Sequence, residues 1–417
     1  MVKINKNVFV AMSGGVDSSV AALFLKNQGY NVVGVFMKCW TWSSPRINAD
    51  FDADERGSGC GWEQDAADAR RVAEVLSIPF YVWDFEKEYE KAVVKYMLAG
   101  YKQGLTPNPD VMCNREIKFG IFLKRALSLG ADFVATGHYV RLRSSTNSEL
   151  NTNERIKRKF VNSKQIRYSL MAAKDKNKDQ SYFLWTLAQD ELRHSLFPIG
   201  EYLKPEVRQI ARKAGLPTAE KKDSQGICFL GKFNVADFLR MHLGERKGAV
   251  VTTEGKIIGE HRGVHLYTIG QRHGLDLKTK NSVLGIRGKI ETQPHYVASK
   301  DIKMNTLIVA EGENNSALYN QEVKLSDVNL ISPIPYSNVL KNMRIRVLAR
   351  VRYRQPLAPA VLATSGKRQG GRKDVSMSHV TYPVSLIFDK PQRFVAPGQS
   401  AVFYNRRGVL LGGGIIA

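Results

Sequence analysis

The chain of 417 residues has few cysteines, few acidic side chains and no long apolar run. Its four cysteines, Cys39, Cys60, Cys113 and Cys228, include no C-x-x-C pair, which argues against a structural zinc site and against a disulfide framework. No apolar stretch reaches the roughly 18 residues that a membrane-spanning helix needs, and the first residues do not resemble a cleavable signal. We therefore expect a protein of the reducing cytoplasm without a membrane span.

The shortage of acidic residues leaves the chain strongly basic. Lys and Arg number 62 against 39 Asp and Glu, which gives a formal net charge of +23. Such an excess favours a polyanionic partner, most simply a nucleic acid, although a solvated basic surface would give the same count. The length predicts two or three domains.

The first 140 residues alternate between strand-like and helix-like segments. Continuous Val-, Phe- and Ala-rich runs at 7–12, 31–37, 79–85 and 131–139 predict buried parallel strands. The segments 18–30, 61–78, 87–104 and 117–130 have helical spacing. This alternation predicts a doubly wound α/β fold with a parallel sheet, whose ligands lie at the carboxyl ends of the strands.

The remaining chain predicts a small middle domain and a C-terminal antiparallel β-barrel. Short alternating or β-branched runs with turn residues between them dominate after about residue 295. We expect three domains: 1–203, which would carry nucleotide chemistry, 204–294 and 295–417. The basic, weakly periodic segments 144–167 and 364–380 are predicted to be solvated insertions, with an RNA contact as the alternative.

The stretch AMSGGVDS lies between the first predicted strand and the first predicted helix. Glycines and an uncapped helix start can hold a phosphate, because they present backbone N–H groups to an anion. No lysine follows, which excludes the GxxxxGK[ST] loop. Asp17 would cap the helix, approach the phosphates through Mg²⁺, or do both. Met37, at the end of the second strand, would contact the nucleotide or belong to the core. The predicted phosphate-loop residues are Ala11, Met12, Ser13, Gly14, Gly15, Val16, Asp17 and Ser18.

Two of the cysteines are candidates for reactive thiols. Prolines in TPNPDVMC predict a loop that places Asp110 near Cys113, just before a helix, and a helix N-terminus stabilises a thiolate. An inert buried thiol is the alternative for Cys113. Cys228 lies between Gly226 and Gly231 in a segment with nearby lysines. No spacing rule pairs the two cysteines.

Seven strings, in order along almost the whole chain, resemble the tRNA-specific 2-thiouridylases of the PP-loop family of ATP pyrophosphatases. They are SGGVDSS, GVFMKCW, TPNPDVMCNREIKFG, ATGHYVR, KDQSYFLW, DSQGICFLG and LYTIGQRHGL. The resemblance implies a sulfurtransferase that uses ATP, with Mg²⁺, to adenylylate the 2-carbonyl oxygen of the wobble uridine. A persulfide sulfur, supplied by a cysteine desulfurase or a sulfur-relay protein, then replaces that oxygen to give 2-thiouridine, AMP and pyrophosphate.

The resemblance also assigns residues to this chemistry. Cys113 matches the nucleophile and Cys228 matches the persulfide carrier, and the two would form a disulfide during turnover. Asp110 matches the general acid/base. Met37 and Gly137 join the phosphate loop as nucleotide contacts. No resident metal site is implied.

The same resemblance implies contacts with the anticodon arm of tRNA. The target base would be flipped out of its stack into a pocket formed by Asn108, Pro109 and Asp110, next to His138. The other implied tRNA contacts are Lys178, Asp179, Gln180, Arg352, Tyr353 and Gln399. Cys39 and Cys60 have no counterpart in these motifs and are predicted to be structural.

Three other functions remain open at this point. A PP-loop enzyme that adenylylates a small molecule would not need two reactive cysteines or so basic a surface. An RNA-binding protein without catalysis would not need intact motifs. An iron–sulfur-dependent RNA thiolase would need clustered cysteines, which the chain lacks.

Overall fold

The computed structural model describes residues 4–41, 61–145, 166–223, 235–277, 293–331, 343–364 and 383–417. Cys60 and Cys228 lie outside these ranges, as do most of the two basic segments predicted at 144–167 and 364–380. Within the described ranges, no helix combines the length and the apolar character that crossing a lipid bilayer requires.

The N-terminal part of the chain alternates strands and helices, as the sequence predicts. In chain order its elements are β1 (Asn7–Ala11), α1 (Val16–Asn27), β2 (Asn31–Lys38), α2 (Gly61–Val75), β3 (Phe80–Asp84), α3 (Glu86–Tyr89), α4 (Lys95–Lys102), α5 (Pro109–Met112), α6 (Leu123–Ser128), β4 (Phe133–Ala135), β5 (Val140–Ser145), β6 (Arg167–Ala172), α7 (Gln189–Arg193), β7 (Ser195–Leu196) and α8 (Lys204–Lys213). A 3₁₀ turn covers Ser181–Leu184. Strands β5 and β6 form a separate antiparallel hairpin.

Five of these strands form one parallel sheet in the order β3-β2-β1-β4-β7. Its two faces are apolar because β1 alternates: Val8 and Val10 pack with residues of α1, α2 and α8, whereas Phe9 and Ala11 pack with residues from 93–126. Burial on both faces is the reason why the strands are continuously apolar. The prediction of a doubly wound α/β domain is confirmed.

Two helices contain π-helical segments. Helices α3 and α4 are joined by the π-helical segment Glu90–Val94, and α5 and α6 by Cys113–Phe122. The second helix therefore runs from Pro109 to Ser128, eight residues earlier than the predicted start at 117. Gly120 accommodates the wider turn, since a Cβ there would lie 2.8 Å from the carbonyl oxygen of Arg115.

The middle of the chain contains α9 (Val235–Leu243) and a five-stranded sheet. Its strands are β8 (Gly248–Thr252), β9 (Ile257–His261), β10 (Asp276–Leu277), β11 (His295–Asp301) and β12 (Thr306–Glu311), in the order β10-β9-β8-β12-β11. The strands β11 and β12, which follow residue 294, pair with this sheet rather than with the C-terminal strands.

The C-terminal strands close into a barrel, as the sequence predicts. They are β13 (Tyr319–Leu330), β14 (Arg344–Arg350), β15 (Ala358–Thr364), β16 (Val384–Arg393), β17 (Ser400–Tyr404) and β18 (Leu410–Ile416), in the order β13-β16-β15-β14-β17-β18. All the pairings are antiparallel. Alternating apolar residues such as Val347, Leu362, Leu386 and Phe403 fill the interior.

Candidate active site

The strand order of the parallel sheet reverses between β1 and β4. The chain runs outward from β1 through β2 to β3, then returns to place β4 on the other side of β1. Loops that leave the carboxyl ends of two such strands diverge and open a crevice, where α/β proteins of this kind bind ligands. The loop after β1 is SGGVDSS and the loop after β4 is TGHY, so two of the motifs meet there.

Glycines allow these loops to approach one another closely. Gly14 has a φ of +71°, and a Cβ on it would lie 2.2 Å from the carbonyl oxygen of Asp65 in α2. Gly137 packs against the start of α1, where a Cβ would lie 2.6 Å from the backbone nitrogen of Ser18. Neither position accepts a larger residue without movement of the backbone. Gly137 therefore lies beside the loop 11–18, and its role as a nucleotide contact stays a prediction.

The first turn of α1 begins without a side-chain cap. Its N-cap residue is Gly15, so no side chain caps the helix, and a Cβ on Gly15 would meet only the Ser13 hydroxyl at 3.5 Å. The loop is held in shape from within, because the Ser18 hydroxyl accepts from the Ser13 N–H and donates to the Gly15 carbonyl, both at 3.1 Å. An uncapped helix start with open space before it can bind an oxyanion through backbone N–H groups.

The structure places a lysine at this loop although none follows it in sequence. Lys204, the first residue of α8, donates from Nζ to both carboxylate oxygens of Asp17 at 2.8 Å. Tyr139 donates its hydroxyl proton to Oδ1 of Asp17 at 2.8 Å, and burial together with the Asp17 charge raises the pKa of Tyr139. Sequence reasoning missed Lys204, since its separation from the loop leaves no local signal.

Asp223 extends this set of ion pairs toward the segment that contains Cys228. Its carboxylate lies 2.8 Å from Nζ of Lys204, 2.6 Å from Nζ of Lys178 and 2.8 Å from the guanidinium of Arg208. Burial opposes ionisation, but these hydrogen bonds and charges lower the pKa of Asp223 to about 2. Lys178, an expected tRNA contact, is thus also a partner of Asp223.

The segment 216–223 packs against α1 and α2, beside the loop 11–18. The Thr218 hydroxyl donates to the Ser19 hydroxyl in α1 at 3.0 Å, and Lys221 forms ion pairs with Asp65 and Asp68 of α2. Residues 224–234 follow directly and lie outside the described ranges, so the position of Cys228 is not described.

The expected base pocket lies at the start of a helix rather than in a loop. Asn108 is the N-cap and accepts from the Val111 N–H at 3.2 Å, Pro109 is the first helical residue, and Asp110 lies in the first turn. Asn at the N-cap followed by Pro is a recognised helix start, so a signal for it was present in the sequence. Cys113 consequently lies within the helix, at the start of the π-helical segment, and not before it.

Cys113 is buried on the face of the sheet that also contains Met37. Both belong to one apolar cluster with Ala11, Val35 and Cys39. Met37 is therefore part of the core, which is one of the two roles the sequence allowed for it. Asp110 is half-buried, whereas Asn108 and Pro109 are buried.

Three of the motifs converge around this helix. Asn114 donates its amide N–H to the carbonyl oxygen of Phe183, and the ring of Phe119 lies 6.1 Å from that of His138. Gln180 and Tyr139 exchange two hydrogen bonds of 2.9 Å. The PNPD helix, the TGHY loop and the KDQ segment thus form one assembly beside the nucleotide loop.

His138 is a buried, neutral residue. Its Nδ1 lies 2.8 Å from the hydroxyl of Thr136, and the rings of Phe119 and Phe197 flank it. Burial, and to a lesser extent the charge of Lys118, hold the pKa of His138 well below its usual range.

Asp179 joins the N-terminal domain to the barrel. Its carboxylate accepts from the backbone N–H groups of Ala173 and Ser181 and from the guanidinium of Arg350 in β14. Arg350 also donates to the hydroxyl of Tyr404 at 2.8 Å. Asp179 and Arg350 are both buried, so the carboxylate that was expected to contact tRNA is engaged in an internal ion pair.

The remaining expected tRNA contacts lie where the barrel meets the other domains. Gln399 donates to the carbonyl oxygen of Thr106 at 3.0 Å, and Arg352 donates to that of Ile269 in the LYTIGQR motif. The ring of Tyr353 lies 4.4 Å from that of Phe183. All three are partly buried.

Among the described residues, no group of three or more His, Cys, Asp or Glu side chains could hold a metal ion. Asp17 is the only carboxylate within the loop 11–18, and both of its oxygens are bonded to Lys204. The carboxylate as it stands does not fit a Mg²⁺ ligand.

Comparison with known proteins covers all three domains. Residues 6–232 match the family described as tRNA methyl transferase HUP domain, 236–311 the tRNA methyl transferase PRC-barrel domain, and 320–416 the aminomethyltransferase beta-barrel domain. A solved NMN synthetase from Francisella tularensis aligns with 57% of this chain and 83% of its own at 13% identity and a TM-score of 0.30, which supports no argument.

Relatives that match over almost their whole length identify the family more narrowly than the domain matches do. The chain is 41% identical over 414 residues to the tRNA-specific 2-thiouridylase MnmA of Streptococcus agalactiae, covering 99% of this chain and 95% of the relative. It is 43% identical over 413 residues to the protein of that name from Pseudomonas paraeruginosa, covering 99% and 94%. It is also 43% identical over 409 residues to tRNA-specific 2-thiouridylase MnmA 2 of Geobacillus kaustophilus, covering 98% and 94%.

Proposed function

The chain belongs to the family of the tRNA-specific 2-thiouridylases, and we infer from this membership and from its nucleotide loop that it is a tRNA sulfurtransferase. Its product is 2-thiouridine at the wobble position of tRNA, with AMP and pyrophosphate released. One observation carries the proposal. Gly14 and Gly15 lie at the start of α1, and Gly137 packs against the first turn of that helix, at the point where the strand order of the sheet reverses between β1 and β4.

ATP is a substrate of this reaction, and it supplies AMP to the 2-carbonyl oxygen of the uridine. The uncapped turn at Gly15 would hold the pyrophosphate that departs, since its N–H groups and helix dipole favour negative charge. Gly137 leaves room for the nucleotide beside Ser18. Mg²⁺ would accompany the phosphates of ATP, and we assign no protein ligand to it, because both oxygens of Asp17 are bonded to Lys204.

The target uridine would enter the pocket at the start of α5. Asn108 and Pro109 fix the first helical turn, and the half-buried Asp110 would move a proton to or from the base. His138 is neutral and lies against Phe119 of the same helix, so it would bound the pocket without adding positive charge. The uridine would be flipped out of the anticodon stack to reach this pocket, because stacking hides the reacting atom.

Sulfur transfer would proceed in two steps. The terminal sulfur of a persulfide on Cys228 attacks C2 of the adenylylated uridine, and AMP leaves with the former 2-oxygen. The Cys113 thiolate then attacks the Cys228 sulfur, which breaks the S–S bond to the base, releases 2-thiouridine and leaves a Cys113–Cys228 disulfide. An external thiol reduces that disulfide. The buried position of Cys113 would protect it from competing oxidants.

Binding of the anticodon arm would use charge and the interface between domains. Lys178 is the expected contact with a partly exposed ammonium group, and the net charge of +23 supplies a long-range attraction for RNA. Asp179, Gln180, Arg352, Tyr353 and Gln399 would act mainly by shaping the surface, since the contacts described above engage their side chains. Affinity for tRNA should fall steeply as salt increases.

A cysteine desulfurase or a sulfur-relay protein would load Cys228, and the reaction would take place in the cytoplasm. We keep the division into an adenylylation domain, a middle domain and a tRNA-binding barrel. Because β11 and β12 pair with the middle sheet, the second boundary would lie after Glu311 rather than at residue 294.

The proposal is tested by the nucleotide products. The protein is incubated with ATP, unmodified tRNA and a cysteine desulfurase with cysteine as the persulfide donor, and the nucleotides are separated by chromatography. We expect AMP and pyrophosphate, formed only when tRNA is present. Formation of ADP and phosphate would contradict the assignment of the loop.

A further inference from the structure

The ammonium group of Lys204 lies between two carboxylates of distant segments. It is 2.8 Å from both oxygens of Asp17 in the nucleotide loop and 2.8 Å from Oδ1 of Asp223. Only 10% of the Lys204 side chain is exposed. Placing a lysine here costs desolvation, which two carboxylate partners offset.

Lys204 is held rigidly by its own backbone. Its N–H donates to Oδ2 of Asp175 at 2.9 Å, and Oδ1 of the same carboxylate accepts from the Asn177 N–H at 3.0 Å. The turn before it is closed by Glu206, which accepts from the Leu203 N–H. The start of α8 is thus fixed, and the side chain points at Asp17 with little freedom.

Asp223 does not depend on Lys204 for its charge balance. Lys178 and Arg208 also contact its carboxylate. Three cations, Lys178, Lys204 and Arg208, therefore contact the Asp223 carboxylate, and one of them, Lys204, also contacts Asp17. Asp223 acts as a second point of attachment that keeps the Lys204 ammonium in place.

The negative charge of Asp17 opposes phosphate binding by the loop unless a cation neutralises it. It lies in the first turn of α1, where an incoming triphosphate would bind to backbone N–H groups. A free carboxylate at this place would repel the phosphates and compete for the same N–H groups. Tyr139 contributes only a neutral hydrogen bond. Lys204 contributes the charge.

We propose that Lys204 is a positioning residue of the nucleotide loop, which neutralises and orients Asp17 so that the loop can accept the phosphates of ATP. It takes, from across the fold, the place of the lysine that the loop sequence lacks. The inference rests on the proposed function of the loop. Lys204 acts through Asp17, and the dependence of its effect on Asp17 can be measured.

The test compares nucleotide binding in Lys204→Met, Asp17→Asn and the double variant. Binding of α,β-methylene-ATP and of inorganic pyrophosphate is measured by calorimetry with the full chain and without tRNA. We expect Lys204→Met to weaken binding by about tenfold or more, because the partly exposed Asp17 carboxylate loses its cation and repels the phosphates. The double variant should recover to within about threefold of the wild type, since the repulsion is removed with the charge.

Lys174→Met is the matched control. Lys174 lies nearby and pairs with Glu206 at 3.4 Å, but its side chain is half exposed, so its loss should leave the affinity unchanged. Circular dichroism confirms that each variant is folded. If Lys204→Met does not fold, Asp17→Asn alone still decides, because it should bind as tightly as the wild type or more tightly.

Three outcomes would overturn the inference: unchanged binding in Lys204→Met, no recovery in the double variant, or loss of binding in Asp17→Asn. The second would mean that Lys204 contacts the phosphates directly, and the third that Asp17 ligates the metal of Mg–ATP. Absence of binding by the wild type would instead contradict the proposed function of the loop.

Discussion

Gln399 of the barrel donates a hydrogen bond of 3.0 Å to the carbonyl oxygen of Thr106, two residues before the N-cap of the helix that carries Cys113. The Thr106 N–H in turn donates to the carbonyl oxygen of Pro397 at 2.8 Å. On its other side, Thr106 contacts Thr268 of the middle domain. The loop that enters the catalytic helix is therefore held by the barrel and by the middle domain together.

Replacing Gln399 by Ala should lower the rate of AMP formation. The lost hydrogen bond contributes about 1 kcal/mol, so we expect a fall of roughly fivefold to tenfold, with binding of α,β-methylene-ATP unchanged. Gln321→Ala serves as the control, because the hydrogen bond that Gln321 donates to the carbonyl oxygen of Phe388 lies within the barrel. A weaker affinity for tRNA at an unchanged rate would show that Gln399 acts on the RNA and not on the loop.

Cys113→Ser and Cys228→Ser should each abolish formation of 2-thiouridine while tRNA binding persists. Each step of sulfur transfer needs one of these thiols, and a hydroxyl neither carries a persulfide nor attacks one. Mass spectrometry of the modified nucleoside and a filter-binding assay make the two measurements. Cys39→Ser is the control, since Cys39 shares the apolar cluster of Cys113 but has no assigned role. Normal thiolation by either of the first two variants would refute the assigned roles.

Arg350→Met should destabilise the protein severely. It would leave the buried carboxylate of Asp179 without its cation, and breaking a buried ion pair in this way costs about 3–5 kcal/mol. Arg346→Met, on the same strand, breaks the exposed pair with Asp389 and should cost less than about 1 kcal/mol. Urea unfolding of both variants makes the comparison. Equal losses would mean that the Arg350–Asp179 pair does not hold the barrel to the N-terminal domain.

The stability should depend on pH through His138. Its pKa is lowered in the folded state by burial and by Lys118, so the unfolded chain binds one more proton below about pH 6.5. The free energy of unfolding should therefore fall as the pH drops from 7 toward 5, by up to about 1.4 kcal/mol per pH unit for this residue. His138→Phe should reduce the dependence of the free energy of unfolding on pH. The contribution of the buried His261 to that dependence should persist. An unchanged slope in the variant would contradict a neutral, buried His138.

Sequence patterns predicted the architecture because each element carries its own periodicity. The continuous apolar strands, the alternating barrel strands and the glycine-rich turn after β1 are local signals. The start of the helix at Pro109 is also encoded locally, in Asn108 and Pro109, although the prolines alone predict a loop.

The ion pairs that complete the site could not be predicted in this way. Lys204 and Asp17 are 187 residues apart, and Arg350 and Asp179 are 171 apart. Neither pair has a spacing rule, and each residue alone is indistinguishable from a solvated charge. Only the reversal of strand order and the docking of the barrel bring these groups together.

The central claim is that the 2-oxygen of the wobble uridine is activated by transfer of AMP. It is tested most directly with tRNA that carries ¹⁸O at C2 of that uridine, incubated with ATP and a sulfur donor. If adenylylation precedes sulfur attack, the AMP that is released contains the ¹⁸O, which mass spectrometry detects. AMP without the label, alongside normal formation of 2-thiouridine, would contradict the account.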